Sequence, residues 1–137
     1  MIFPEFECDG RGLQAAVKLV TRACDLTSAT FARTIVFVAD ENGLTIEIRM
    51  SPVWVSVKLP VSVTTPGVGT VDGRGLPGAL GKIRSGEWIK IGQGTKEGTV
   101  LIRTGSSQYE ISMGVPLEDL PLLPSVDLEP PVTFEAS

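Results

Sequence analysis

The sequence predicts an α+β domain in which one element order, β-α-β-β-β, runs twice. Three observations carry that expectation. Apolar residues alternate along several short stretches, two longer stretches repeat theirs at helical spacing, and 15 Gly and 10 Pro among 137 residues supply many turns. A chain of this length is one domain, long enough to bury a single core. A hydrophobic fraction of 42% against 20% charged residues suits a compact soluble protein.

The elements follow in order. Ile2 to Cys8 alternates as a strand, and Asp9 is a suitable N-cap for a helix from Gly10 to Cys24. Ile35 to Ala39 and Leu44 to Met50 flank Asp40-Glu41-Asn42-Gly43; the Asn-Gly pair and the alternation of Leu44, Ile46 and Ile48 predict a hairpin. Val53 to Val61 alternates Val53, Val55, Val57 and Leu59 and completes the first unit. After the turn-rich Thr64-Thr65-Pro66-Gly67, Val68 to Val71 opens the second. A weak helix from Gly73 to Arg84 keeps Leu76, Ala79, Leu80 and Ile83 at i, i+3, i+4, i+7 spacing, and Trp88 to Ile91, Thr99 to Arg103 and Gln108 to Met113 read as strands. The units repeat in element order and spacing, a weaker claim than similarity of letters.

Composition closes many chemistries. Histidine is absent, which removes the commonest general base, the Ser–His and Cys–His nucleophile pairs and the commonest zinc ligand together. The carboxylates are scattered, and the adjacent Glu118-Asp119 sits in a proline-flanked loop where neighbours in sequence do not converge. Cys8 and Cys24 lack the C-x-x-C spacing of redox or zinc sites and read as small buried hydrophobes. No catalytic residue, metal or cofactor is assigned, and the chain is expected not to be an enzyme. Gly73-Arg74-Gly75-Leu76-Pro77-Gly78 does match the dinucleotide pattern G-x-G-x-x-G after a short strand. A dinucleotide fold requires parallel strands with crossover helices, whereas the strands downstream read as hairpins, so these glycines are assigned to loosening a short helix. No 18 consecutive apolar residues occur, and MIFPEFECD lacks a basic region followed by an apolar one, which predicts a cytoplasmic protein without a membrane partner.

The first helix carries the sharpest functional pattern. At about 100° per residue, Leu13, Ala16, Val17, Val20 and Cys24 share one face, while Arg11, Lys18 and Arg22 fall within about 20° of a line on the opposite one. No acidic residue occurs between Gly10 and Ala23, nor between Gly73 and Gly86, where Arg74, Lys82 and Arg84 lie off the apolar stripe. Half of the 12 basic residues thus sit in two acid-free helices of a chain with net charge −4. One reading is the solvated face that any surface helix needs. The other is a local positive surface on an acidic body, able to touch phosphates loosely without reading bases, since only Gln14 offers an amide for base edges.

Ile102-Arg103-Thr104-Gly105, Ser107, Tyr109 and Ile111-Ser112, followed by Pro116 and Asp119-Leu120-Pro121, form a hairpin running into a proline-punctuated acidic tail. With Val38-Ala39-Asp40, this stretch resembles the first domain of bacterial DNA polymerase III beta sliding clamps, where a "VRSG-x-S-x-F-x-L-S" hairpin leads to "P-x-x-D-F-P". The resemblance implies a DNA-clamp fold, two β-α-β-β-β repeats with two helices on one face of antiparallel sheets. It implies that domains join edge to edge into a ring lined by helices, which makes Arg11, Lys18, Arg22, Arg74, Lys82 and Arg84 candidates for sequence-independent contact with duplex DNA. It further implies that Tyr109 and Ile111 on the last strand meet a neighbouring subunit, where an edge strand needs covering.

Two departures accompany the resemblance. After its first helix the family has a proline-bearing loop with a basic residue, whereas Asp25 to Arg33 contains no proline, so no DNA contact is assigned there. Bacterial clamps carry three domains per chain, with the pocket for partner peptides on the later ones; a polymerase or clamp loader is therefore expected to act through the full assembly. Residues 1–124 read as a single clamp-like domain and 125–137 as a linker and the first strand of a following domain, because Phe134-Glu135-Ala136-Ser137 parallels Phe6-Glu7-Cys8-Asp9. The chain is then either the first domain of a longer clamp or a single-domain relative that assembles with its own copies. The alternative reading is a regulatory module on the same fold that binds a replication or transcription protein through the Tyr109 strand and encircles no DNA.

Overall fold

The computed structural model describes residues 3–24, 34–49, 54–83, 86–105, 107–120 and 132–135. Among the described residues ten strands and two α-helices follow one another: β1 (Glu5–Asp9), α1 (Gly10–Cys24), β2 (Thr34–Asp40), β3 (Gly43–Arg49), β4 (Trp54–Leu59), β5 (Ser62–Thr65), β6 (Gly67–Asp72), α2 (Gly75–Leu80), β7 (Trp88–Gln93), β8 (Thr99–Arg103), β9 (Gln108–Ser112) and β10 (Val132–Glu135). They make two five-stranded sheets, ordered β5-β1-β7-β8-β9 and β10-β4-β3-β2-β6.

The expected repeat is present as β1-α1-β2-β3-β4 and β6-α2-β7-β8-β9, and the two units interlock. The first strand of each joins the other's sheet: β1 pairs antiparallel with β7, and β6 with β2. Neither unit can therefore complete a sheet alone. β4 and β9, the last strands of the two units, take equivalent places in their sheets.

Local chemistry starts and stops the elements. The Arg11 amide donates to Asp9 Oδ1 at 3.2 Å, so Asp9 caps α1. Asp40 accepts from the Asn42 amide at 2.8 Å in the β2–β3 turn, and Gly43 closes that turn at φ 122°, where a Cβ would also stand 2.9 Å from the Leu59 carbonyl oxygen. The sequence predicts one strand from Val53 to Val61; instead β4 ends at Leu59, and beyond Pro60 the chain turns to form β5 on the free side of β1. Proline offers no amide hydrogen to continue the ladder, and β1 has unpaired backbone groups to satisfy. The helix expected from Gly73 to Arg84 is likewise shorter, six residues long. Past Leu80 the Lys82 and Ile83 amides donate to the Ala79 and Leu80 carbonyls, tight three-residue turns that follow two glycines.

One core joins the two sheets. Phe6 of β1 and Phe37 of β2 meet edge to face, 5.6 Å between ring centroids at 88°, and Phe3 approaches Phe37 at 6.3 Å. Phe3 lies over Gly69, the residue opposite Phe37 on β6, so closely that a Cβ there would stand 2.2 Å from the ring. Around them pack Leu13, Val17 and Val20 of α1, Leu76 and Leu80 of α2, and Ile46, Ile89, Ile91 and Ile102 of the sheets, all buried. Cys8 is buried here as a free thiol, its pKa pushed up to about 12 by burial and, secondarily, by the charge of Asp9. The side chain of Cys24 lies outside the described part.

Replacing Phe37 by Ala removes the ring that both Phe3 and Phe6 contact. A loss of about 3–5 kcal/mol is expected in urea unfolding monitored by circular dichroism; a loss below about 1 kcal/mol would show that the sheets do not depend on this contact.

Candidate nucleic-acid interface

α1 places its basic face by packing its apolar one. Leu13, Ala16, Val17 and Val20 are buried against β3 and β4, and 100° per residue then turns Arg11, Lys18 and Arg22 outward, where all three are exposed. Ala15 and Leu19 fill the surface between them, Leu19 being 39% exposed. Among the described residues Lys18 and Arg22 form no ion pair; Arg49 pairs with Glu47 and Lys90 with Glu5, both on the sheets.

The second helix lies beside the first. Gln14 Nε2 donates to the Leu80 carbonyl at 2.8 Å, which locks α1 to the last turn of α2. The one amide that the sequence offers for reading bases is thereby turned inward. Arg74 and Lys82 are exposed at the two ends of α2 rather than along it, because the helix is shorter than its expected span. The Arg74 amide donates to Asp72 Oδ1 at 3.2 Å, while the Lys82 ammonium stands 5.9 Å from the centroid of the Tyr109 ring. Arg84 falls outside the described residues. The structure thus brings Arg11, Lys18 and Arg22 into one stripe, sets Arg74 and Lys82 at either end of the neighbouring helix, and commits Lys82 toward β9.

Tyr109 and Ile111 are on an edge strand, since β9 pairs with β8 and with no other described strand. Their side chains face inward. Register puts them opposite Ile102 and Val100, on the core side of the sheet, and both are half-buried, with Ile111 close to Gly75 of α2. What β9 presents to a neighbour is its open backbone, the exposed Gln108, Glu110 and Ser112, and the rims of Tyr109 and Ile111.

Glu110 has a role that no local sequence signal announces. Its Oε1 accepts from the Thr95 hydroxyl at 2.7 Å, from the Thr95 amide, and from the Lys96 amide at 3.4 Å, so it holds the β7–β8 loop from across the sheet. Those donors, the Thr95 hydroxyl foremost, keep its carboxyl below the ordinary value of 4.5. The residues are fifteen apart, which periodicity does not reveal. Lys82 over Tyr109 and Gln14 on Leu80 join residues still farther apart in sequence.

The glycine-rich Gly73 to Gly78 turn is not a dinucleotide site. The strand before it, β6, lies in one sheet and the strand after α2, β7, in the other, so β6, α2 and β7 do not form a parallel crossover unit. Among the described residues no three Cys, Asp or Glu side chains converge as a metal site would require, and no helix is long and apolar enough to cross a membrane.

No protein-family model and no curated protein matches the chain. Solved structures do. It superposes on the beta sliding clamp of C. crescentus with a TM-score of 0.78 at 15% identity, over 90% of this chain and 33% of that one. This chain has the sliding-clamp fold. The beta subunit of DNA polymerase III from Pseudomonas aeruginosa superposes with a TM-score of 0.74 at 20% identity over 88% of this chain, and the DNA polymerase sliding clamp of Bacillus subtilis with 0.74 at 18% over 91%. The chain spans about a third of the length of these clamps. At such identities the clamp fold is carried by the two interlocked units and their buried faces.

Because the folded pKa of Glu110 is depressed, its contribution to loop stability is present above the unfolded carboxylate value and lost as pH falls through the folded one. In an NMR titration the Thr95 amide shift should therefore move with a midpoint below 4.5, and Glu110→Gln should abolish that transition. A midpoint at or above 4.5 would mean that these bonds do not persist in solution.

Proposed function

We infer that the chain is a non-enzymatic DNA sliding-clamp domain, which joins edge to edge with its own copies or with further clamp domains into a ring around duplex DNA and so supports processive replication. The observation that carries this reading is the acid-free face of α1, with Arg11, Lys18 and Arg22 in one stripe on a clamp fold whose net charge is −4. A small positive face on an acidic body attracts the phosphate backbone along that face and repels it elsewhere. Phosphate contacts alone carry no sequence information, which is what movement along DNA requires. Arg74 and Lys82 extend the same surface, with Arg84 a candidate from the sequence alone; Tyr109 and Ile111 lie at the assembly edge, and a polymerase or clamp loader engages the complete ring in the cytoplasm.

Charge reversal tests the DNA face. With Arg11, Lys18 and Arg22 replaced by Glu, retention on circular DNA is expected to fall steeply. The slope of log affinity against log salt should shrink by about 0.9 for each phosphate that is no longer neutralised. Unchanged retention would overturn the assignment. Assembly has its own readout: a closed ring of single domains has the mass of a hexamer in solution, and a chain that stays monomeric at every concentration does not encircle DNA unaided.

The open backbone of β9 favours a second reading, in which that edge takes an extended segment of a replication or transcription protein and no DNA is encircled. Capture of a polymerase or clamp subunit that survives DNA digestion, together with unaltered capture by the charge-reversed variant, would select it.

A further inference from the structure

Of the four sheet edges, two are blunted locally. β5 has four residues and stands between Pro60 and Pro66, and β6 is flanked by Met113 and Leu117, which line a cavity against Val68, Gly69 and Thr70. The two remaining edges belong to β4 and β9, the equivalent last strands of the interlocked units. β9 has no partner beyond β8 among the described strands, whereas β4 is covered: Val132, Thr133, Phe134 and Glu135 of β10 pair with Val55, Ser56, Val57 and Lys58. This is the one parallel pairing among the described strands, and it holds four residue pairs. Parallel pairs are slightly weaker per residue than antiparallel ones, and an edge strand this short is easily displaced.

We propose that β10 is a detachable cover on the β4 edge, and that its release opens that edge to the β9 edge of a second copy. The inference rests on the edge-to-edge reading above and adds its control. A contact between two different edges of identical molecules is head-to-tail, so it propagates from copy to copy and closes into a ring when the rotation permits. Each copy must expose both edges. While β10 is seated in cis, only β9 is available, and the apparent affinity between copies falls by the fraction of molecules whose β4 edge is open. The eleven residues of 121–131 tether β10 to the domain, and a tether this short keeps its local concentration high. Residues 132–135, which the sequence suggests as the start of a following domain, act in this account on the domain that precedes them.

The test is the solution mass of the full chain, by light scattering across a concentration series, in three forms. Lys58→Cys with Glu135→Cys, in a Cys24→Ser background, places cysteines at partnered positions of β4 and β10. Oxidised, this form should stay monomeric at concentrations where the wild-type chain assembles; reduced, it should assemble again. Thr133→Pro with Phe134→Pro removes two successive amide donors, so that one of them is a donor facing β4, and should assemble at a concentration lower by about tenfold or more, as expected if the open form is a minor state. Full assembly of the oxidised form would overturn the cover while leaving the ring reading intact. A disulfide that forms between chains rather than within one would overturn it too, because β10 would then be exchanged between copies. If no form assembles at any concentration, the reading in which copies of this chain form a ring by themselves fails, and the cover with it. Retained circular dichroism in the proline form separates release of β10 from unfolding, and the redox pair gives the answer within a single folded variant.

Discussion

Phe6 and Phe37 meet edge to face between two sheets that come from interlocked units, and the rest of the molecule is arranged around that meeting. Phe6 sits on β1, the strand that the first unit places in the second unit's sheet; Phe37 sits on β2, beside the strand β6 that the second unit places in the first unit's sheet. Exchange of strands makes the two sheets one cooperative body, since removing either unit strips a paired strand from the other's sheet. The close approach of Phe3 to Gly69 belongs to the same constraint: a methyl group at that position would displace the ring from its contact with Phe37.

The charge distribution follows from this core. Once Leu13, Val17 and Val20 are buried, α1 has no rotational freedom left, and the residues at 11, 18 and 22 must face water together. Gln14 fixes the neighbouring helix through the Leu80 carbonyl, a hydrogen bond at the side of α1 between its apolar and basic faces. An acidic chain thereby presents a surface of the opposite sign. The helices are positioned by apolar packing, and the cations themselves cost nothing to desolvate until a ligand arrives.

Much of this was legible in the letters. Alternation in Leu44, Ile46 and Ile48, the Asn-Gly turn and the spacing of Leu13, Ala16, Val17 and Val20 are local signals with local physical causes, and the elements they announce are present. The stretch around Tyr109 resembled the clamp fold on which the chain superposes. What was not legible depends on partners far away in sequence. β5 exists because β1 has a free side; Glu110 matters because the Thr95 loop folds back across the sheet; Tyr109 and Ile111 face inward because register sets them opposite Ile102 and Val100.

The sequence by itself determined which residues lie on which face of each element, because periodicity and capping act within a few residues along the chain. It also determined the charge pattern, including the acid-free basic stripe of α1. Only the tertiary structure decided which strands are neighbours, which edges stay open, and where residues 132–135 come to rest. Strand pairing is a contest among backbones that all offer the same donors and acceptors. Its outcome is set by the burial of Phe6 and Phe37 between sheets, a condition that exists only once the whole chain has closed around them.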